Sequence, residues 1–254
     1  MSDLPFDIII PSKGRSDGAT FQLLERVKLP YTVIVERADS ERYKHALPCA
    51  NILTLPKSNQ GIGYSRKYVL KRATRPFVMM DDDISKLYSH HKTAGSMSAI
   101  SIRRFLTRGW ARFQRLQQQT KRFAMLGFKN GSFAIPQVSV THKTTIAHII
   151  FIDPAILSAA GVTYDASLKA FEDIDILFQC AKRKIQFARM NHLVYYTTPS
   201  GTATHGGVEY NGNTKERFLN LMVKRYPGWI VNDNTVRESD NQPMYHIDWK
   251  NIAT

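Results

Sequence analysis

The sequence predicts an α/β protein in which helices flank a mostly parallel central sheet, and three observations lead there. Apolar runs alternate with amphipathic stretches through the first half of the chain, a β-α-β-α rhythm. One of these runs, Phe77-Val78-Met79-Met80, passes straight into Asp81-Asp82-Asp83. A buried strand ends this way when it delivers polar side chains to the carboxyl edge of a parallel sheet. The 254 residues, 43% of them hydrophobic, suffice for one sizeable core, and no linker-like or low-complexity segment divides them. A single domain over residues 1–230 follows, with a tail over 231–254 that packs on it or extends it.

In chain order, the first three strands are Phe6 to Ile10, Tyr31 to Val35 and Asn51 to Leu55. Helices are expected near 17–27, 39–47 and 63–74, and right-handed crossovers through them make the strands parallel. Between Ser96 and Phe123 the composition turns polar, which predicts a long helix, about residues 96–123, inserted into the domain. Arg104, Arg108, Arg112 and Arg115 recur in it at helical spacing with no acidic residue interleaved, so they form one basic face. A strand follows over Thr144 to Ile152, then a short helix opened by Asp153-Pro154 and closed near Gly161, the usual placement of proline and glycine at helix ends. A helix from about Leu168 to Lys184, a strand pair over Ile185 to Thr197, a Gly-, Thr- and Asn-rich loop over Pro199 to Thr214 and an amphipathic helix to Tyr226 complete the domain.

Thirty-five Lys and Arg against 21 Asp and Glu give a net charge of +14, and a polyanionic partner, nucleic acid first, is the simplest consequence. No apolar run reaches the roughly 18 residues that span a bilayer. Asp3 and Asp7 break the basic-then-apolar layout of a signal peptide, so a cytoplasmic location without a membrane partner is expected. Cys49 and Cys180 lie far apart without CxxC spacing, which argues against a disulfide framework or a zinc site.

The chemistry concentrates in five short stretches. Asp81-Asp82-Asp83 at a strand end needs a cation, and aligned carboxylates suit Mg²⁺ or Mn²⁺ with phosphate oxygens in the remaining positions; a solvated acidic turn is the alternative. Pro11-Ser12-Lys13-Gly14-Arg15 closes the first strand with small residues and two cations able to approach a nucleotide, although it lacks the Walker pattern. Gly61-Ile62-Gly63-Tyr64-Ser65-Arg66 opens a helix whose free N–H groups and Arg66 favour a diphosphate, or serve only as a cap. Glu172, Asp173 and Asp175 begin a later helix, where one can act as a general base or all can favour the helix dipole. His205, in Thr204-His205-Gly206, can complete a metal shell from a loop; His142 and His148 read as structural.

These five stretches, in their order along the chain, resemble a GT-A glycosyltransferase over about residues 6–210, and the nearest form is that of the TET/JBP-associated glycosyltransferases of bacteriophages, implicated in glycosylating hydroxymethylated pyrimidines in DNA. The resemblance implies a GT-A-like domain binding a UDP-sugar. Pro11, Lys13, Arg15 and Glu36 would then border the nucleoside, Gly61 and Arg66 the diphosphate, and Asp81 and Asp82 the sugar nucleotide. Asp83, Asp81 and His205 would hold Mn²⁺ or Mg²⁺. Asp173, with Glu172 beside it, would match the base of inverting relatives. Ser65-Arg66-Lys67 departs from the Ala-Arg-Asn of many family 2 enzymes. The implied activity is metal-dependent, inverting transfer of glucose or a related sugar to 5-hydroxymethylcytosine in DNA, with the four arginines on the DNA phosphates. A glycan or lipid acceptor, or a sugar-nucleotide nucleotidyltransferase, are the other readings.

Overall fold

Ten strands form one sheet with helices on both faces in the computed structural model, which describes residues 4–91, 96–133, 137–198, 212–237 and 242–252. The first half contains β1 (Asp7–Pro11), α1 (Ala19–Arg26), β2 (Tyr31–Val35), α2 (Ser40–Ala46), β3 (Ala50–Thr54), α3 (Ile62–Arg72) and β4 (Phe77–Met80). It continues with β5 (Ile84–His91), β6 (Ser96–Ala99), α4 (Ile102–Gln119), β7 (Phe123–Asn130), β8 (Val140–His142) and β9 (Ile149–Ile152). The last elements are α5 (Pro154–Ala159), α6 (Glu172–Lys182), β10 (Gln186–Thr197), α7 (Gly212–Arg225), β11 (Ile230–Arg237) and β12 (Gln242–Ile247).

The order across the sheet is β3-β2-β1-β4-β9-β7-β10-β5-β6, with β8 also on β10. The strands β3, β2, β1 and β4 are all parallel, as the crossover helices require. β9 then enters antiparallel between β4 and β7, while β7 and β10 pair in parallel. The carboxyl ends of β1, β4 and β7 therefore share one edge, where the acidic triplet emerges.

Strand alternation divides the core into two layers. Phe77 and Met79 of β4 face α3, α5, α6 and α7, whereas Val78 and Met80 face α1, α2 and α4. All four are fully buried because β4 is central, so alternation could not be read from its composition.

Two expectations change. The segment 96–123 is not one helix: it forms β6, α4 and the start of β7, and α4 begins only where Ser101 accepts the Arg104 N–H at 3.3 Å. Gly109 lets α4 lie against the sheet, since a Cβ there would stand 2.5 Å from the Phe128 ring and 2.8 Å from that of Phe151. Residues 185–197 form one long strand rather than a pair, and its register shift between Met190 and Val194 absorbs the break. The tail contributes an antiparallel hairpin, β11 with β12. No helix among the described residues is long and apolar enough to cross a membrane.

Candidate active site

The acidic triplet is held by its backbone before its side chains do anything. Thr20, fully buried in the first turn of α1, donates its hydroxyl to the Asp81 carbonyl at 2.7 Å and accepts the Ile84 N–H at 2.9 Å. Its own N–H reaches the Asp82 carbonyl at 3.2 Å, and the Asp81 N–H reaches the His148 carbonyl at 2.8 Å. The Asp83 carbonyl takes the Thr198 N–H at 2.8 Å. With the chain pinned from both sides, Asp81 turns toward the α3 and α6 layer and Asp82 toward the α1 and α2 layer.

Arg66 links the two acidic stretches. Its Nη2 lies 2.9 Å from Asp81 Oδ1 and its Nη1 2.9 Å from Glu172 Oε1, a buried guanidinium shared by two carboxylates. Burial alone would weaken its charge, but Asp81 and Glu172 outweigh that and raise its pKa. In return Arg66 and His148 overcome the burial of Asp81 and hold its carboxyl down at about 2. Gly63 makes this geometry possible, because a Cβ there would stand 2.6 Å from the Asp165 carbonyl and 2.7 Å from that of Leu168, against which α3 is seated.

Asp81, Asp83 and His148 bring ligand atoms within 4.8 Å of one another. His148 Nδ1 lies 2.9 Å from Asp81 Oδ2 without the alignment of a hydrogen bond, and Asp83 Oδ1 is buried with no hydrogen-bond partner. Burial and the Asp81 charge both push the Asp83 carboxyl up in pKa, so a cation there would relieve a real repulsion. Two carboxylates and an imidazole are an oxygen and nitrogen donor set that suits Mn²⁺ or Mg²⁺, and the orphaned atoms fit such an ion. His148, read from sequence as structural, therefore joins the cluster: its left-handed backbone, φ 61°, stands just ahead of β9, where Met80 pairs with Ile149. His205 lies outside the described residues.

The loop after β1 forms a second wall. Buried Pro11 ends the strand, and Arg15 Nη2 lies 2.7 Å from Asp82 Oδ1. Ser12 donates to the same carboxylate, and Tyr43 joins the loop through Ser12 at 2.6 Å and the Arg15 N–H at 2.8 Å. Asp82 is thus 1% exposed and turned inward as the loop's anchor, its pKa raised to about 6 by burial against the opposing pull of Ser12 and Arg15. This position does not leave its carboxylate open to a sugar nucleotide, the role expected for it. Lys13 lies 3.2 Å from Glu36 and 2.7 Å from Asn59 Oδ1, and Glu36 also accepts the Asn59 N–H, so this side of the wall joins β1, β2 and the approach to α3. Gly61, φ 83°, begins α3 beside Lys169.

The three acids of α6 separate by environment. Phe171, in the left-handed region at φ 63°, turns the chain into the helix. Glu172 is buried on Arg66, and burial raises its pKa. Asp173 stays half-exposed with Oδ1 accepting the Ile174 N–H. Asp175 is fully buried among Gln179, Arg225 at 2.8 Å and the Tyr226 hydroxyl at 2.8 Å; it anchors α7 and is corrected from candidate base to structural acid.

The arginine face of α4 runs away from this edge. Arg104, Arg108 and Arg115 are exposed and Arg112 half-buried, with Arg108 bonded to Ser89 Oγ at 3.1 Å. Because α4 returns directly into β7, its amino end lies toward the acidic edge, and Arg115 stands about 16 Å farther back than Arg104.

The TET-Associated Glycosyltransferase family model matches residues 6–207. Among solved structures, the fold is similar to that of S. aureus TarS 1-349, at 16% identity over 77% of this chain and 60% of that one, TM-score 0.50. The same TarS fragment in complex with UDP-GlcNAc matches at 15% identity over 87% of this chain and 66% of that one, TM-score 0.54. GalNAc-T7 with UDP, GalNAc and Mn²⁺ matches at 8% identity over 86% and 48%, TM-score 0.54. The chain thus spans less than two thirds of each of these structures. A search of curated proteins finds no match. The family match runs from β1 through the acidic edge and α6 past the end of β10, taking in the β1 loop, Arg66, the acidic triplet, His148 and the acids of α6, and the chain belongs to the TET-Associated Glycosyltransferase family.

Proposed function

We propose that this protein is a metal-dependent glycosyltransferase that moves a sugar, glucose, from a UDP-sugar to the hydroxyl of 5-hydroxymethylcytosine in DNA with inversion. The observation that carries this reading is the Asp81, Asp83 and His148 cluster at the carboxyl edge of β4, in a chain of this family. UDP-GlcNAc on TarS and UDP with Mn²⁺ on GalNAc-T7 support the choice of donor and ion. Bound Mn²⁺ or Mg²⁺ would neutralise the charge of the departing diphosphate.

The chain's own groups do the rest. Arg66 fixes Asp81 and Glu172 in place, and the loop of Lys13 and Arg15 borders the nucleoside with Pro11 and Glu36. Asp173, the half-exposed acid of α6, accepts the proton of the attacking hydroxyl. The oxygen of that hydroxyl forms the new bond to the anomeric carbon as the bond to the diphosphate breaks, and the leaving oxygen keeps the electron pair. A single displacement of this kind inverts the anomer. Net charge +14 and the arginine face of α4 support a nucleic-acid acceptor.

Mass spectrometry of nucleosides, after incubating hydroxymethylated DNA with a panel of sugar nucleotides and Mn²⁺, tests the reading. The expected product is a glucosylated hydroxymethylcytosine formed only with UDP-glucose. Transfer to a glycan or lipid acceptor with none to DNA would overturn it. Two variants probe its parts. Asp173→Asn is expected to lower turnover by about 10² to 10⁴-fold with donor affinity retained, read by initial rates beside a UDP-sugar titration. Changing Arg104, Arg108, Arg112 and Arg115 together to Gln should flatten the salt dependence of DNA binding, each lost phosphate contact lowering the slope by about 0.9. An unchanged slope would make α4 an ordinary solvated helix.

A further inference from the structure

Past the metal cluster the sheet continues through β9, β7 and β10, and two cations stand there with no acid among the described residues to meet them. Lys129, near the end of β7, is 5% exposed and forms no ion pair or hydrogen bond among the described residues. Its ammonium stands over the exposed Phe133 ring, 5.3 Å from centre to Nζ. Arg189 of β10 pairs with Gly127, diagonal to Lys129 on the same face of the sheet. Its Nε donates to Asn191 Oδ1 at 3.1 Å. Asn191 is 1% exposed and its amide nitrogen is held by the Val138 carbonyl and Thr141 Oγ1 at 2.9 and 2.8 Å, so it can offer Arg189 only its oxygen. The rest of the guanidinium makes no bond among the described residues.

The electrostatics are unfavourable as they stand. Burial, then the nearby Arg189 charge, lowers the pKa of Lys129, and burial lowers that of Arg189. Desolvated like charges without a counter-ion destabilise a fold, and an incoming anion removes the penalty.

Register supplies the location. Met80 pairs with Ile149 and Ile150 with Gly127, which carries Lys129 to the same edge, and by alternation to the same face, as Asp81. It lies on the side of the triplet opposite the β1 loop, where an acceptor would meet a donor held by that loop.

We propose that Lys129 and Arg189, with Phe133 beside them, form a subsite for a phosphodiester of the nucleic-acid acceptor, adjacent to the base that receives the sugar. This rests on the DNA-acceptor reading above. The ammonium meets the phosphate as a point charge, the free arm of Arg189 adds directed hydrogen bonds, and the Phe133 ring offers a stacking face to a base drawn from its neighbours.

The test titrates wild type, Lys129→Met and Arg189→Gln with a fluorescent oligonucleotide carrying one 5-hydroxymethylcytosine. It is repeated with the linkages flanking that base replaced by neutral methylphosphonates. Wild type is expected to bind the neutral-flank form about tenfold or more weakly. K129M and R189Q should bind the ordinary form with a comparable loss and respond little to the replacement, while UDP-sugar binding is unchanged. K129M should also melt at a higher temperature than wild type, since methionine fills the site without a charge to desolvate. A lysine with a merely structural role would melt lower on substitution. If wild type and both variants bind the ordinary oligonucleotide equally and all remain sensitive to methylphosphonate, the subsite is overturned and the acceptor reading stands. If wild type binds neither oligonucleotide but binds an anionic polysaccharide, both are overturned.

Discussion

Replacing Asp83 by Ala is expected to reduce sugar transfer by at least about 10² to 10³-fold while the protein keeps its fold, the size seen when one preorganised group that stabilises developing charge is removed. The fold should survive because the Asp83 side chain makes no hydrogen bond or ion pair with another described residue: its Oδ1 is buried without a partner, and burial and Asp81 raise its pKa. The backbone that positions it is held through its carbonyl by Thr198, which the substitution leaves alone. Without metal, D83A should therefore melt no lower than wild type, and the rise in melting temperature that Mn²⁺ gives wild type should vanish. Undiminished transfer at saturating Mn²⁺ would sink the assignment of this carboxylate to a metal. Asp81→Ala is the useful contrast, because Asp81 also neutralises Arg66. That variant should lose stability as well as activity.

The second large effect is structural. Arg66→Met should destabilise the protein by about 3 to 5 kcal/mol, since it leaves a buried carboxylate, Glu172, without its counter-ion and removes the guanidinium facing Asp81. Methionine fills the volume, so the loss comes from charge rather than from a cavity. Adding Glu172→Gln should recover part of it by removing the orphaned charge, a non-additivity that urea denaturation of the two single variants and the double variant would measure. Strictly additive effects would mean that Arg66 and Glu172 do not act as a pair.

How much of this was legible beforehand depends on how local each feature is. The parallel strands β1 to β4 and their helices follow from alternating apolar runs, because each strand is buried by elements close to it in the chain. The acids of the triplet were legible for the same reason, as polar residues placed directly after four fully buried ones. Composition read α4 as too long because Ser96 to Ala99 and Phe123 are polar or aromatic in a way that helix and strand share. Their strand pairing with β5 and β10 is a tertiary fact.

From the sequence alone came the fold class, the acidic edge, the loop after β1, Arg66 and the excess of positive charge, all properties of contiguous residues or of composition. Tertiary structure alone decided which distant groups meet. Antiparallel pairing of β9 with β4 brings His148 beside Asp81, and Arg66, which also holds Asp81, reaches Glu172 across 106 residues. The packing of α7 removes Asp175 from the candidate acids, and the register of β7 and β10 sets Lys129 and Arg189 on one face. The reason is physical: a side chain's role depends on which charges and how much water surround it, and strand register, invisible in the spacing of residues, settles both.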